Sequence, residues 1–182
     1  EDIPAIQRCI DKALSISHAD KEDAHDAVLA IQRLASLSVE PNDWSLATGD
    51  RRFEQLSDIV ELGLAEISSM DLCRYLWSIS VLGFSYEDRT RAVFAEYRAR
   101  IHDQQQQHPH HTPPHPALTV GDLSTMIWTC ACARNNLGWT DTELMGQLIS
   151  SLQENQSSLD TLSARLLVRV MWALYVYKDN SR

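Results

Sequence analysis

Long apolar runs are missing from this chain. Its most apolar stretch, residues 166–177, is interrupted by Arg169 and falls short of the ~20 residues of a membrane span. Glycine and proline are scarce, six of each in 182 residues, with most of the prolines in one segment. That composition leans helical. Cysteine is limited to Cys9, Cys73, Cys130 and Cys132, and no two of them have zinc-ribbon or CxxC spacing. Cys130 and Cys132 are two apart, so on a helix they point in different directions. They read as small core residues of a reducing compartment rather than as a disulfide framework. The motifs of common chemistry are lacking too: there is no P-loop, dinucleotide fingerprint or GxSxG elbow. Catalysis is therefore the least favoured class, and neither a cofactor, a metal nor a small-molecule substrate is expected. Positive charge is in deficit, with 16 Lys and Arg against 25 Asp and Glu, a net charge of −9. Such a surface repels phosphate backbones and disfavours non-specific nucleic-acid binding. It leaves room for a local basic patch, for which Arg89, Arg91, Arg98 and Arg100 are the candidates, with Arg51 and Arg52 a smaller one.

What the sequence has is helical periodicity almost throughout. Ile3, Ile6, Ile10 and Leu14 form one stripe, and Val28, Ile31, Leu34 and Leu37 a second on a helix over 22–38. Residues 39–50 read as a loop, because Pro, Asn, Asp and Gly break the pattern. Phe53, Leu56, Ile59, Val60, Leu62 and Leu64 mark a third helix passing through Gly63. A fourth runs from Asp71 to near Gly83. Ser85 then reads as the cap of a helix over 86–102 carrying Val93, Phe94, Tyr97 and Ile101. "DQQQQHPHHTPPHPA", residues 103–117, is a flexible Gln/His/Pro-rich insertion. A helix around Trp128 follows, then a turn at "NNLG". Thr140 and Glu143 predict a capping box for the next helix, and the last helix starts near Thr161.

Three of these helices share a pattern. "DLCRYLWSIS", "DLSTMIWTCA" and "LLVRVMWALY" place Leu72, Leu123 and Leu167 five residues before Trp77, Trp128 and Trp172. A small residue follows each Trp: Ser78, Thr129 and Ala173. The tryptophans are 51 and 44 residues apart. Without most of the insertion, both intervals approach the ~40 residues of a two-helix solenoid repeat. A degenerate earlier copy fits, with Gln32 in the place of the Trp. The predicted fold is all-α: a right-handed α-solenoid-like array of helical hairpins, about seven helices, in one domain over 1–182. The Leu and Trp positions are its expected core, the indole filling the gap between successive pairs.

The segments "DLxxxLWSISxLGF", "DLxxxIWTCACA" and "LLxxxMWALYVY" resemble the helical repeats of organellar RNA-binding proteins, the octotricopeptide-repeat proteins and the related FAST-kinase/RAP-type proteins. The resemblance covers residues 69–83, 119–134 and 163–177. It implies a mitochondrial setting, either in RNA processing, as an architectural piece of the mitochondrial ribosome, or as an accessory subunit of a respiratory or ATP synthase complex. Protein subunits of a large complex are the expected partners.

For RNA as a second partner, side chains three before and one after each Trp share a helix face at i, i+4. These pairs are Arg74 with Ser78, Thr125 with Thr129, and Arg169 with Ala173, where arginines and polar groups would contact bases or phosphates. Ser78, Thr129 and Ala173 read better as small residues that permit close packing, which leaves Arg74 and Arg169 as the open candidates. His108, His110, His111 and His115 sit among Gln and Pro, so a solvated loop fits them better than a metal site. Asp71 and Asp122 lie near helix starts and read as capping and dipole-compensating groups. The last helix ends in "WALYVY" with no amphipathic partner after it, so Trp172, Tyr175 and Tyr177 are expected at an interface.

Overall fold

The computed structural model describes residues 24–37, 48–84, 87–105 and 117–179. The chain is all-α. Among the described residues it forms seven α-helices and one short 3₁₀ helix, with no strand. They are α1 (Ala24–Leu37), α2 (Arg51–Leu62), α3 (Ser69–Val81), α4 (Glu87–Gln105), α5 (Val120–Leu137), α6 (Thr142–Glu154), a 3₁₀ turn (Gln156–Thr161) and α7 (Ala164–Asp179). The helix expected over 3–14, the cap at Ser85 and all four histidines of the Gln/His/Pro insertion lie outside the described residues. So do residues 39–47 of the connecting loop. α4 continues to Gln105, three residues into the segment read as insertion.

The chain divides into two compact units, Glu1–Arg89 and Thr90–Arg182. In the first, α1 packs against both α2 and α3. It buries Val28, Ile31 and Leu34, while Phe53, Leu56 and Val60 of α2 and Leu72, Tyr75, Leu76 and Ile79 of α3 complete the core. Each such side chain contributes about 1.5–3 kcal/mol by leaving water. Phe53 meets Phe84 edge to face, with ring centroids 4.6 Å apart. Leu37, matched by periodicity to the core positions of α1, is exposed at the helix end. Asp50 caps α2 by accepting from the Arg52 N–H at 2.9 Å. The helix stops at Leu62 rather than running through Gly63. The Gly63 N–H closes it by donating to the carbonyls of Ile59 and Val60. Gly63 also meets the start of α1 so closely that a Cβ there would lie 2.5 Å from the Ala24 Cβ. The glycine is thus a point of close approach between α1 and α2.

In the second unit α5 packs against both α6 and α7. Thr119 and Asp122 cap it reciprocally. The Asp122 N–H donates to Thr119 Oγ1 at 3.1 Å, and the Thr119 N–H donates to Asp122 Oδ2 at 2.9 Å. Gly138 ends it in the left-handed conformation, φ 72°, which has no Cβ penalty in glycine; this is the predicted "NNLG" turn. α6 starts one residue later than the predicted box. Asp141, not Thr140, is its cap and accepts from the Leu144 N–H at 2.9 Å. The same carboxylate is ion-paired to Arg98 of α4, which a threonine could not provide. α4 buries Val93, Phe94, Tyr97 and Ile101. Its Tyr97 hydroxyl lies 3.2 Å from Thr129 Oγ1 on α5.

Candidate functional site

The recurring Trp setting is only partly a core. Leu72 and Leu123 are fully buried, as are Ser78, Thr129 and Ala173 after each Trp. Trp77 and Trp128 themselves are half-buried, and Gln32 in the degenerate copy has the same intermediate exposure. The buried spine of the first two copies is therefore the leucine and the small residue, with the Trp at its margin. The hydroxyls at and around these positions turn back onto their own helix. Ser78 donates to the Arg74 carbonyl at 2.6 Å, and Ser80 to the Leu76 carbonyl at 2.6 Å. Ser124 donates to the Val120 carbonyl at 2.7 Å, and Thr125 to the Gly121 carbonyl at 2.8 Å. Such internally satisfied polar groups can be buried at little cost, so a neighbouring helix can approach.

That geometry removes most of the predicted RNA-contact set from reach. Ser78, Thr125 and Thr129 are buried and bonded to backbone carbonyls. Arg74 donates to Asp71 Oδ1 at 2.8 Å. Nor do the candidate arginines of α4 form a free basic patch. Arg89 is buried and donates to Asp58 at 2.6 Å. Arg100 is buried against Glu96 at 2.8 Å, and Arg98 is paired with Asp141. Arg91 is exposed. Arg52 is held by Asp50 at 2.7 Å, and Arg51 is exposed. The i, i+4 spacing assumes that both members face solvent, whereas the tertiary fold turns one inward. Arg169 lies over the Trp128 ring, 3.9 Å from its centroid. Burial and the neighbouring Arg165 hold its pKa below the usual arginine value, with Cys132 acting in the opposite sense. Burial pushes the Cys132 thiol up to about 12, which leaves it a protonated core residue rather than a nucleophile.

The third copy departs from the core expectation. Leu167 is 43% exposed and Trp172 37%. Val168, Met171 and Tyr175 are 65%, 70% and 64% exposed. Leu123, Ser124, Ile127 and Ala131, the equivalents of Leu167, Val168, Met171 and Tyr175 in α5, are buried because α6 and α7 lie on that helix, whereas no described element covers the same side of α7. α7 faces inward through Val170 and Ala173. Of the three predicted interface residues, Trp172 and Tyr175 lie on the uncovered side. Tyr177 is half-buried beneath Arg134, whose guanidinium carbon is 4.5 Å from the ring centroid. This apolar face is the most prominent candidate interaction surface of the second unit.

The first unit holds a carboxylate centre that the sequence showed only in part. Asp71 is buried at the third position of α3. Its N–H donates to the capping Ser68 Oγ at 3.1 Å, and its Oδ2 accepts from that hydroxyl at 2.6 Å. Oδ2 also lies 3.0 Å from His25 Nδ1 on α1, and Oδ1 takes the Arg74 bond. Burial raises its pKa, but the bonds from Ser68, His25 and Arg74 outweigh that, so the carboxyl titrates below its ordinary value. The site reads as a structural tie: capping and dipole compensation were legible, the cross-helix bond to His25 was not. Because the folded pKa is depressed, the stabilisation is present above the unfolded value of about 3.9 and disappears as pH falls through the folded value. Asp71→Asn should lower stability near neutral pH by about 1–3 kcal/mol. The gap between variant and wild type should close as pH falls through the lowered folded value of Asp71. Urea unfolding of both proteins across that range measures it; a gap independent of pH would show that the ionised form contributes nothing.

Among the described residues, no three His, Cys, Asp or Glu side chains are placed to hold a metal ion. Within the same residues, no helix is long and apolar enough to cross a membrane. Cys73, Cys130 and Cys132 are buried. Comparison with protein-family models, with curated proteins and with solved structures yields no match to this chain.

Proposed function

We propose that the chain is a non-catalytic helical-repeat scaffold, a subunit of a large mitochondrial ribonucleoprotein, with the mitochondrial ribosome as first choice. The observation that carries the scaffold reading is the uncovered face of α7, where six large apolar side chains stand more than a third exposed on one helix. Apolar surface concentrated in this way marks a docking site. The compartment and the ribonucleoprotein rest on the resemblance of the three Leu-x4-Trp segments to organellar RNA-binding repeats.

A second reading is an accessory structural subunit of a mitochondrial respiratory or ATP synthase complex, docked by protein contacts alone. The burial of Ser78, Thr125 and Thr129 and the pairing of Arg74, Arg89, Arg98 and Arg100 with carboxylates favour it. Sedimentation of mitochondrial lysates separates the two. On the first reading the chain co-migrates with ribosomal particles and shifts when they are split by removing magnesium. Co-migration with a detergent-solubilised membrane complex, unaffected by ribonuclease, supports the second and overturns the first. A free RNA-binding regulator would sediment with neither and would be retained on RNA with a steep dependence on salt.

A further inference from the structure

We propose that the outward face of α7 receives one amphipathic helix of another protein, a helix whose apolar seam is flanked by acidic side chains. Ala164, Val168, Met171 and Tyr175 follow one another at intervals of four, three and four residues, and all four are exposed. That is the spacing of a two-helix seam, in which each side chain inserts between side chains of the facing helix. The next seam position is Lys178, also exposed. Leu167 and Leu174 broaden the seam on one side.

Charge selects the occupant. From Ala164 to Lys178 the helix carries Arg165, Arg169 and Lys178 and no acidic residue, in a chain of net charge −9. Arg165 is exposed, has no carboxylate partner among the described residues, and stands one turn from Arg169. Arg165 also lies in the first turn of α7, where the positive end of the helix dipole disfavours a cation. Acidic side chains on a facing helix would relieve both repulsions. A second copy of this chain would not. A parallel pair sets Arg165 near Arg165, and an antiparallel pair sets Arg165 near Lys178, so like charges meet either way. A lipid surface would also answer the cations, but Lys178 continues the line of the seam itself. On a helix partner an acidic residue at that point would fix the register; in a bilayer the ammonium would face the acyl region.

This inference rests on the scaffold reading only in taking the chain to dock on protein. The test uses the whole chain and two synthetic helical peptides with Leu at the seam positions, one flanked by Glu and one by Lys, each fluorescently labelled and titrated at 0.1 M salt. The Glu-flanked peptide should bind at least about tenfold more tightly. Met171→Glu should abolish its binding without changing the helical circular dichroism, since Met171 is exposed. Arg165→Glu should narrow or invert the preference between the two peptides. Equal affinity for both peptides, or binding to neither, overturns the proposal. So does tighter binding to phosphatidylcholine–phosphatidylserine vesicles than to the Glu-flanked peptide, or a concentration-dependent dimer that Met171→Glu dissolves. Peptide binding without ribosomal co-migration would sink the ribosomal reading and leave the surface; co-migration unaffected by Met171→Glu, with no peptide binding, would do the reverse.

Discussion

Leu72→Ala and Leu123→Ala should each destabilise the protein by about 2–5 kcal/mol, whereas Leu167→Ala should cost no more than about 0.5 kcal/mol. The three leucines hold the same place in the repeat pattern, five residues before a Trp. Their surroundings differ. Leu72 lies in the α1–α3 core and Leu123 within α5, which is flanked by α6 and α7, so truncation leaves a cavity that its neighbours only partly fill. Leu167 is 43% exposed, and water takes up the space of the lost side chain. The tryptophans should follow the same order: Trp77→Ala and Trp128→Ala cost more than Trp172→Ala, and Trp128→Ala also removes the ring under Arg169. Urea unfolding of purified variants measures the series. If Leu167→Ala cost as much as Leu123→Ala, the outward side of α7 would have to be covered in the isolated protein, and the docking surface would already be occupied.

Gly63→Ala should destabilise by about 1–3 kcal/mol, although alanine is the better helix former. φ at Gly63 is −100°, which any residue adopts, so the cost is not backbone strain. It comes from the new methyl, which would stand 2.5 Å from the Ala24 Cβ. Both atoms are fixed to main chain at element ends, so relief requires α1 to move away from α2, loosening the contacts of Val28 and Ile31. The pairing is testable in a double-mutant cycle. Ala24→Gly vacates the contested space, so Gly63→Ala made in that background should recover most of the loss. Equal cost in both backgrounds would place the clash elsewhere.

Local patterning made most of the elements visible. The 3.6-residue period of Val28, Ile31 and Leu34, the Gly138 turn and the early aspartates of α3 and α5 each reflect short-range physics that any helix in water obeys. Where a carboxylate could serve two elements, the local rule failed: Asp141 displaces Thr140 as the cap of α6 because it also pairs with Arg98 of α4. The burial of part of the candidate RNA face has a related reason. Spacing tells which side chains share a helix face, and only the packed neighbours decide whether that face meets water. Spacing pairs Ser78 with Arg74 and Thr125 with Thr129, and the fold turns these hydroxyls inward.

By itself the sequence determined that the chain is helical, where most helices begin and end, and that leucine, a small residue and Trp recur in one register, because these follow from periodicity and caps within a few residues of chain. Tertiary structure alone decided that Leu72 and Leu123 are core while Leu167 is surface, that Asp71 ties α3 to His25 of α1, and that most of the candidate arginines are spent on carboxylates. The reason is that burial and charge pairing belong to side chains meeting across long separations in sequence, such as the 46 residues between His25 and Asp71. Identical local motifs therefore acquire different roles according to what covers them.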